Sequence, residues 1–189
     1  DEGTLTITKI AQKVTFTAAS DHKEYDGTAL SNEAVTMSGL PAGYNFTASA
    51  VGSVTHVNEG KVKNVVNKDS VHIYKEGKDV TNQFADIQYT DGELSITPRK
   101  VTLTSASDQK QYDGTPLTND SVTYDASRIL NNDIHDIKAT GSQTDVGSSD
   151  NTISYKIENN VKDDYEVKEE LGQLTVTKNE KKVTIKADD

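Results

Sequence analysis

The chain contains two segments of nearly the same sequence that stand 87 residues apart. The phrase at residues 13–17 returns at 100–104, and the phrase Tyr-Asp-Gly-Thr at 25–28 returns at 112–115. The two displacements, 101 − 14 and 112 − 25, are equal, so the spacing holds across the residues between the phrases. Self-similarity at a fixed period indicates tandem structural units. We therefore expect the 189 residues to build one fold twice.

Both ends of the chain carry fragments of the same pattern. A closing phrase, Gly-x-Leu-x-(Ile/Val)-Thr, occurs at residues 3–8, 92–97 and 172–177, and an opening phrase begins again at Lys182. The phrases predict four segments. They are residues 1–8 as the last strand of a preceding repeat, 9–97 as the first β repeat domain, 98–178 as the second, and 179–189 as the start of a following repeat.

Short runs in each repeat alternate apolar with polar residues, which is the period of a half-buried strand. The runs are 14–17, 44–48, 62–66, 71–74 and 94–97 in the first repeat, and 101–105, 134–139, 152–158 and 173–177 in the second. Five glycines that follow an acidic residue predict turns, since Gly adopts a positive φ without steric cost. These glycines are Gly27, Gly60, Gly77, Gly92 and Gly114.

Helix is predicted at two places only, and at each for about one turn. Residues 79–85 and 125–130 begin with an Asp that can act as N-cap, but neither keeps an apolar face for the dozen residues that a stable helix needs. We predict an all-β chain of two tandem small antiparallel β domains, each an immunoglobulin-like sandwich. A β-grasp sheet is the alternative, and a real helix at either place would favour it.

The charge of the chain excludes two classes of partner. With 30 acidic and 20 basic residues, the formal net charge is −10. Nucleic acids and anionic membranes are bound through a basic face, so we expect neither as a partner. The sequence has no signal peptide or transmembrane run, so we expect no membrane insertion from these residues. We expect a monomer, and the lack of Cys does not indicate a redox compartment.

No pattern in the sequence predicts catalysis. The four histidines do not recur at matching places, and there is no Ser/His/Asp arrangement, no His-x-x-x-His pair and no Gly-rich phosphate loop. We expect no enzyme, no cofactor and no metal site. Acidic residues at 131–136 and 163–164 leave an irregular calcium loop as an alternative hypothesis.

A covalent cross-link is a second alternative. In chains without Cys, a strand Lys can join an Asn through an isopeptide bond beside a buried carboxyl group. Lys13 or Lys100 would be the donor, and Asn82 or Asn160 the acceptor.

The second repeat resembles a known family. Residues 101–119, then 141–147, Tyr165-Glu-Val and the closing phrase at 172–177 are similar to the YDG/MBG repeat modules of Gram-positive cell-surface proteins. The resemblance extends over nearly the whole chain. It implies an extracellular, adhesin-like parent protein attached to the cell wall, with neighbouring repeats as partners. It implies no catalytic or ligand-binding residue.

The Tyr-Asp-Gly motif has a structural and a functional interpretation. In the first, Tyr25 or Tyr112 packs over a sheet edge while Asp26-Gly27 or Asp113-Gly114 makes the turn; in the second, the Tyr is a platform for a glycan ring. We favour the turn, because Asp-Gly is a strong turn dipeptide.

The repeat and the resemblance lead to two candidate functions. The repeats are non-catalytic stalk modules that hold a distal domain away from the cell wall, or they themselves bind a host glycan, mucin or matrix protein. Repetition favours the stalk, which needs only length, although a repeated weak site also gains avidity. The candidate ligand platforms are exposed tyrosines. They are Tyr44, Tyr74, Tyr89, Tyr124 and Tyr155.

Overall fold

The computed structural model describes residues 6–183, and its contacts divide the chain into two units between Pro98 and Arg99. Secondary structure is predominantly β, as the alternating runs predicted. The expected terminal fragments lie partly outside the described residues, which exclude 1–5 and 184–189. Of these fragments, residues 6–8 and 179–183 are described and are not in strands.

The described part of unit 1 has ten strands and three short 3₁₀ helices. The strands are β1 Ile10–Ala18, β2 Asp21–Glu24, β3 Val35–Ser38, β4 Tyr44–Thr47, β5 Ala50–Val51, β6 Val62–Val66, β7 His72–Lys75, β8 Lys78–Asp79, β9 Phe84–Thr90 and β10 Gly92–Thr97. The 3₁₀ helices are Val57–Glu59, Lys68–Ser70 and Thr81–Gln83. The hydrogen-bonded strand orders are β3-β1-β9, β2-β10-β6-β5 and β4-β7-β8.

The described part of unit 2 has eight strands and two 3₁₀ helices. The strands are β11 Arg99–Ser105, β12 Asp108–Gln111, β13 Val122–Thr123, β14 Ile134–Ala139, β15 Gly147–Asn151, β16 Ile153–Ile157, β17 Tyr165–Glu170 and β18 Gly172–Thr177. The 3₁₀ helices are Ala126–Arg128 and Asn159–Asp164. The strand orders are β13-β11-β17, β12-β18-β15 and β14-β16.

The expectation that the strands pair only antiparallel is wrong. Within residues 6–183, four pairs are parallel: β1 with β9, β2 with β10, β11 with β17, and β12 with β18. In each unit, these pairs join the first strands to the last ones. The period of a strand predicts which side chains face the core, but it carries no information about the direction of the neighbouring strand.

The first strand of each unit changes sheet part of the way along. In unit 1 the chain leaves β1 after Ala18 and continues as β2 in the other sheet, while its partner passes from β9 to β10. The backbones are so close at this crossing that a Cβ on Gly92 would lie 2.2 Å from the Ala19 carbonyl oxygen. Gly172 has the same role beside Ala106 in unit 2. Gly92 is therefore needed for close approach, and the predicted turn at Gly92 is wrong.

A fully buried asparagine lies at each crossing. The Asn64 side chain donates from Nδ2 to the carbonyl oxygens of Ala19 (2.8 Å) and Asn32 (2.7 Å). In unit 2, Asn151 Nδ2 donates to those of Ala106 (2.9 Å) and Asn119 (2.8 Å). Each amide thus gives hydrogen bonds to two partly buried carbonyl groups on separate stretches of chain.

The core of unit 1 lies between its sheets. It includes Val14, Phe16 and Ala18, which are the alternate residues of β1, together with Ile73 and Phe84. In unit 2 the largest fully buried side chains include Leu103, Ile134 and Leu174. Leu103, Ile134 and Leu174 are alternate apolar positions that the sequence predicts as inward-facing, whereas Phe84 lies in a stretch predicted as helix.

The two predicted helical stretches form a single turn each. Thr81–Gln83 and Ala126–Arg128 are 3₁₀ helices of three residues, and the Asp125 carboxylate caps the second by accepting the Ser127 N–H. The other four predicted turn glycines, Gly27, Gly60, Gly77 and Gly114, have positive φ, which confirms those turns.

We predict that Asn151→Ala lowers the free energy of unfolding of unit 2 by about 3 kcal/mol, because two partly buried carbonyl groups and the buried Gly141 N–H lose their partner. Asn64→Ala should cost unit 1 less, about 2 kcal/mol, since Asn64 Oδ1 has no hydrogen-bond partner to lose. Hydrogen exchange read by mass spectrometry measures each unit separately.

The matched control is Asn160→Ala, which removes the same atoms from an exposed position in unit 2. Equal losses of stability in Asn151→Ala and Asn160→Ala would contradict a structural role for the buried amide.

Candidate functional site

In unit 1 the Tyr-Asp-Gly motif forms a turn that a lysine closes. Lys23 Nζ donates to Asp26 Oδ1 (2.7 Å) and Thr28 Oγ1 (2.7 Å). The same Asp26 oxygen accepts the backbone N–H (2.9 Å) and the hydroxyl (2.7 Å) of Thr28. Gly27, with φ of 79°, allows the chain to reverse between them. Strand β2 positions the lysine, and the aspartate shapes the turn that follows it.

Unit 2 repeats this arrangement residue for residue. Lys110 Nζ donates to Asp113 Oδ1 (2.9 Å) and Thr115 Oγ1 (2.7 Å). Asp113 Oδ1 accepts the N–H (2.9 Å) and the hydroxyl (2.8 Å) of Thr115, and Gly114 has φ of 81°. We call this set of Lys, Asp and Thr the turn staple. Sequence reasoning identified the Asp-Gly pair but missed the lysine and the threonine, although Lys-x-x-Asp-x-Thr recurs at the spacing of 87.

Hydrogen bonds hold both staple carboxyl groups in the charged form. The Lys23 ammonium, followed by the Thr28 hydroxyl and N–H, lowers the pKa of Asp26 well below its ordinary value of 3.8. Lys110, followed by Thr115, lowers the pKa of Asp113 in the same way. The lysine is thereby occupied by oxygen acceptors of its own turn, so the staple is suited to fixing backbone shape.

The tyrosines of the motif share a backbone role but differ in side-chain burial. The N–H of Tyr25 donates to the Thr97 carbonyl oxygen (2.9 Å), and that of Tyr112 to the Thr177 oxygen (2.8 Å). The Tyr25 ring is 4% exposed, with its centroid 5.9 Å from that of His56. The Tyr112 ring is 40% exposed. The feature common to both repeats is therefore the backbone hydrogen bond.

Four of the five candidate ligand platforms are half-buried, so the expectation that they are exposed is wrong for them. They are Tyr44, Tyr74, Tyr89 and Tyr155.

Lysine ammonium groups lie over two of these rings, at 5.0 Å from the centroid of Tyr44 and 5.1 Å from that of Tyr89. Burial, and then the neighbouring Glu169, raise the pKa of the Tyr155 hydroxyl. A sequence does not reveal which long side chain will cover an aromatic ring on a neighbouring strand.

Tyr124 is the exposed member of the set, at 43%. It lines a shallow cavity of 180 Å³ with Ala126, Ile129, Asn132 and Ile134. Tyr44, Tyr74 and Tyr89 belong to unit 1, and Tyr124 and Tyr155 to unit 2. Of the five, Tyr124 alone presents an exposed ring.

The acidic loop proposed for calcium is bonded internally. Asp133 is buried, and its Oδ2 accepts the Tyr165 hydroxyl (2.9 Å), which in turn accepts the Leu130 N–H (3.0 Å). Within residues 6–183, no group of three or more His, Asp or Glu side chains is placed to hold a metal ion.

The histidines that have ion-pair partners are at the surface, as in the pair of His72 with Asp79 (2.7 Å). The lysines and asparagines proposed for an isopeptide bond are also exposed. Their exposure does not fit chemistry that needs a buried, uncharged amine.

Comparisons with known proteins give no relative: no family model, no curated protein and no solved structure matches this chain. Among the described residues, no helix is long and apolar enough to cross a membrane.

The turn staples predict a pH dependence of stability. Because folding lowers the pKa of Asp26 and Asp113, their contribution is complete above the ordinary value of 3.8 and is lost as the pH falls toward the lower folded value. We expect the double variant Asp26→Asn and Asp113→Asn to be less stable at pH 7 and to lose less further stability between about pH 4 and pH 2. Urea denaturation at a series of pH values measures both effects.

The control is Asp163→Asn, which neutralises an exposed carboxylate outside the staples. A double variant with the same acid profile as wild type would show that the staples do not contribute.

Proposed function

We propose that this chain is a pair of non-catalytic structural repeats from a Gram-positive cell-surface, adhesin-like protein. The repeats act as a stalk that projects a distal domain from the cell wall. In this proposal the repeats lie outside the cell and are attached to the cell wall through the parent protein. The proposal also assigns the chain to the YDG/MBG repeat family. The acidic surface, with net charge −10, favours solubility of such a stalk.

One observation carries the proposal: the polar side chains that make the same hydrogen bonds in both repeats, at a spacing of 87, are ones that fix the course of the backbone. The turn staple and the buried asparagine occur in both units with the same partners. By contrast, none of the five candidate platforms recurs, and the position equivalent to Tyr124 is Met37. A repeated spacer must keep in each copy the residues that maintain its fold. A repeated binding site gains avidity only if each copy keeps the residue that binds the ligand.

The fold of each unit is proposed as a small sandwich of immunoglobulin-like type. The first strand of each unit belongs to one sheet, and its continuation belongs to a second sheet. The two stretches that could have formed the helix of a β-grasp fold form single 3₁₀ turns instead. The parallel pairs are a departure from an all-antiparallel sandwich.

A display experiment tests the spacer. One copy of the two-unit chain, or two copies in tandem, is placed between a wall anchor and a peptide tag on a Gram-positive cell. Capture of the tag by beads that carry a bulky antibody layer should increase with copy number. Equal capture at one and two copies would contradict the proposal.

Binding by the repeats themselves is the competing outcome, and it has a specific prediction. We expect the purified chain to show no saturable binding to mucins, a glycan panel or matrix proteins. Tyr124→Ala and Tyr112→Ala, at similar exposure, are the two diagnostic variants. Saturable binding that is lost in one of them and kept in the other, which serves as its matched control, would make the repeats adhesive units.

A further inference from the structure

In each unit, a two-stranded parallel ribbon joins the beginning of the unit to its end. In unit 1, Val14 lies opposite Ile87 in the β1–β9 pair, and Lys23 lies opposite Ile96 in the β2–β10 pair. Both offsets are 73 residues (87 − 14 and 96 − 23), so the register is the same on both sides of the sheet crossing. The two pairs therefore form one ribbon that keeps its register across the crossing, although the ladder of backbone hydrogen bonds is interrupted there.

Unit 2 contains the same ribbon. Val101 lies opposite Val167 in the β11–β17 pair, and Gln111 lies opposite Thr177 in the β12–β18 pair. Both offsets are 66 residues (167 − 101 and 177 − 111). Both units thus contain a ribbon with one register on both sides of the crossing, although the offsets differ and the unit 1 ribbon has a register shift between Ile10 and Lys13.

The direction of these strands determines how tension acts on a unit. The chain enters unit 1 at the Ile10 end of the ribbon and leaves it after Thr97, at the opposite end, because the paired strands are parallel. Tension applied to the two ends of the unit pulls the two strands of the ribbon in opposite directions along their length. The inter-strand hydrogen bonds lie across the ribbon, so this sliding loads all of them together.

We propose that each unit is a shear clamp, a fold that resists mechanical unfolding when the chain is pulled from its two ends. This goes beyond the proposed spacer function, because a spacer requires length alone. The clamp is a property of one unit under tension and does not depend on where the parent protein resides. It suits any chain through which force passes from one end to the other.

Side chains strengthen the clamp at the crossing, where the sheet ladder is interrupted. In unit 2, the Gly172 N–H donates to Ser105 Oγ (2.9 Å) and the Gln173 N–H to Ser107 Oγ (3.0 Å). In unit 1, the Glu93 N–H donates to Ser20 Oγ (3.0 Å). These hydroxyls connect the two strands of the ribbon at the place where backbone pairing is lost.

Force spectroscopy in two pulling directions tests the clamp on the full chain. The sequence has no Cys, so pairs of introduced cysteines define the points of attachment. Lys100→Cys with Lys178→Cys pulls the ends of the unit 2 ribbon in shear. Val146→Cys with Lys178→Cys shares one attachment point and peels β15 from β18, starting at the antiparallel pair of Gly147 and Val176. All three substituted side chains are exposed.

The clamp predicts a higher unfolding force in shear. At equal pulling speed, the mean force for the 100/178 pair should be at least about twofold that for the 146/178 pair, since peeling breaks the bonds one at a time. Each event is identified by its gain in length, roughly 3.5 Å for each residue released. Equal forces, or a lower force in shear, would overturn the proposal.

A mild variant tests the role of the crossing. Ser107→Ala removes one exposed hydroxyl contact with the opposite strand and should lower the shear force of the 100/178 pair. Ser154→Ala, an exposed change on β16 outside the ribbon, is the control. An unchanged shear force in Ser107→Ala would overturn the role assigned to the crossing.

These outcomes are independent of the spacer test. The clamp fails if the two pulling directions give equal forces, whereas the spacer fails if capture does not increase with copy number or if the repeats bind a ligand.

Discussion

A buried side-chain amide holds the strand crossing of each unit together, and the arrangement of the sheets depends on it. Where the first strand changes sheet, partly buried backbone carbonyl groups lie next to the asparagine side chain, and such groups are costly when unpaired. Asparagine supplies two donors from one small side chain, which is enough for one carbonyl on each of two stretches of chain. Asn64 and Asn151 use both donors in this way, 87 residues apart, with equivalent partners.

The crossing explains how so small a unit forms its core from one long opening strand. Along β1, alternate residues face the core, and beyond the crossing the same chain continues as the polar edge strand β2. There the inward apolar residues come from its partner β10, at Leu94 and Ile96. The close approach requires a residue without Cβ at Gly92 and Gly172. The closing phrase Gly-x-Leu-x-(Ile/Val)-Thr thus combines the glycine of the crossing with the core residues of the last strand.

The sequence predicts the parts of this fold that depend on local chemistry. Alternating apolar residues identify most of the long strands but miss β9 and β17, which are the partners of the opening strands, and acidic-Gly pairs identify four turns of positive φ. Strand partners and directions are set by contacts between distant residues, so the parallel ribbons are not predictable from periodicity. Strand β15, Gly147–Asn151, has no apolar alternation to reveal it. A further local signal is Asp-x-Ser/Thr, in which the carboxylate accepts both the N–H and the hydroxyl two residues later. It occurs in both staples and at Asp79 and Asp125.

The differences between the two units lie away from the ribbon. Asn64 and Asn151 are 87 residues apart, whereas Leu94 and Leu174 of the closing strands are 80 apart, so unit 2 is seven residues shorter between these points (87 − 80). In unit 1 this segment contains the β7–β8 hairpin, which the pair of His72 and Asp79 bridges; in unit 2 the 3₁₀ helix Asn159–Asp164 follows β16. Each ribbon nevertheless keeps the same register on both sides of its crossing. The segment between the buried asparagine and the last strands can therefore change in length, because neither the crossing nor the turn staple depends on it.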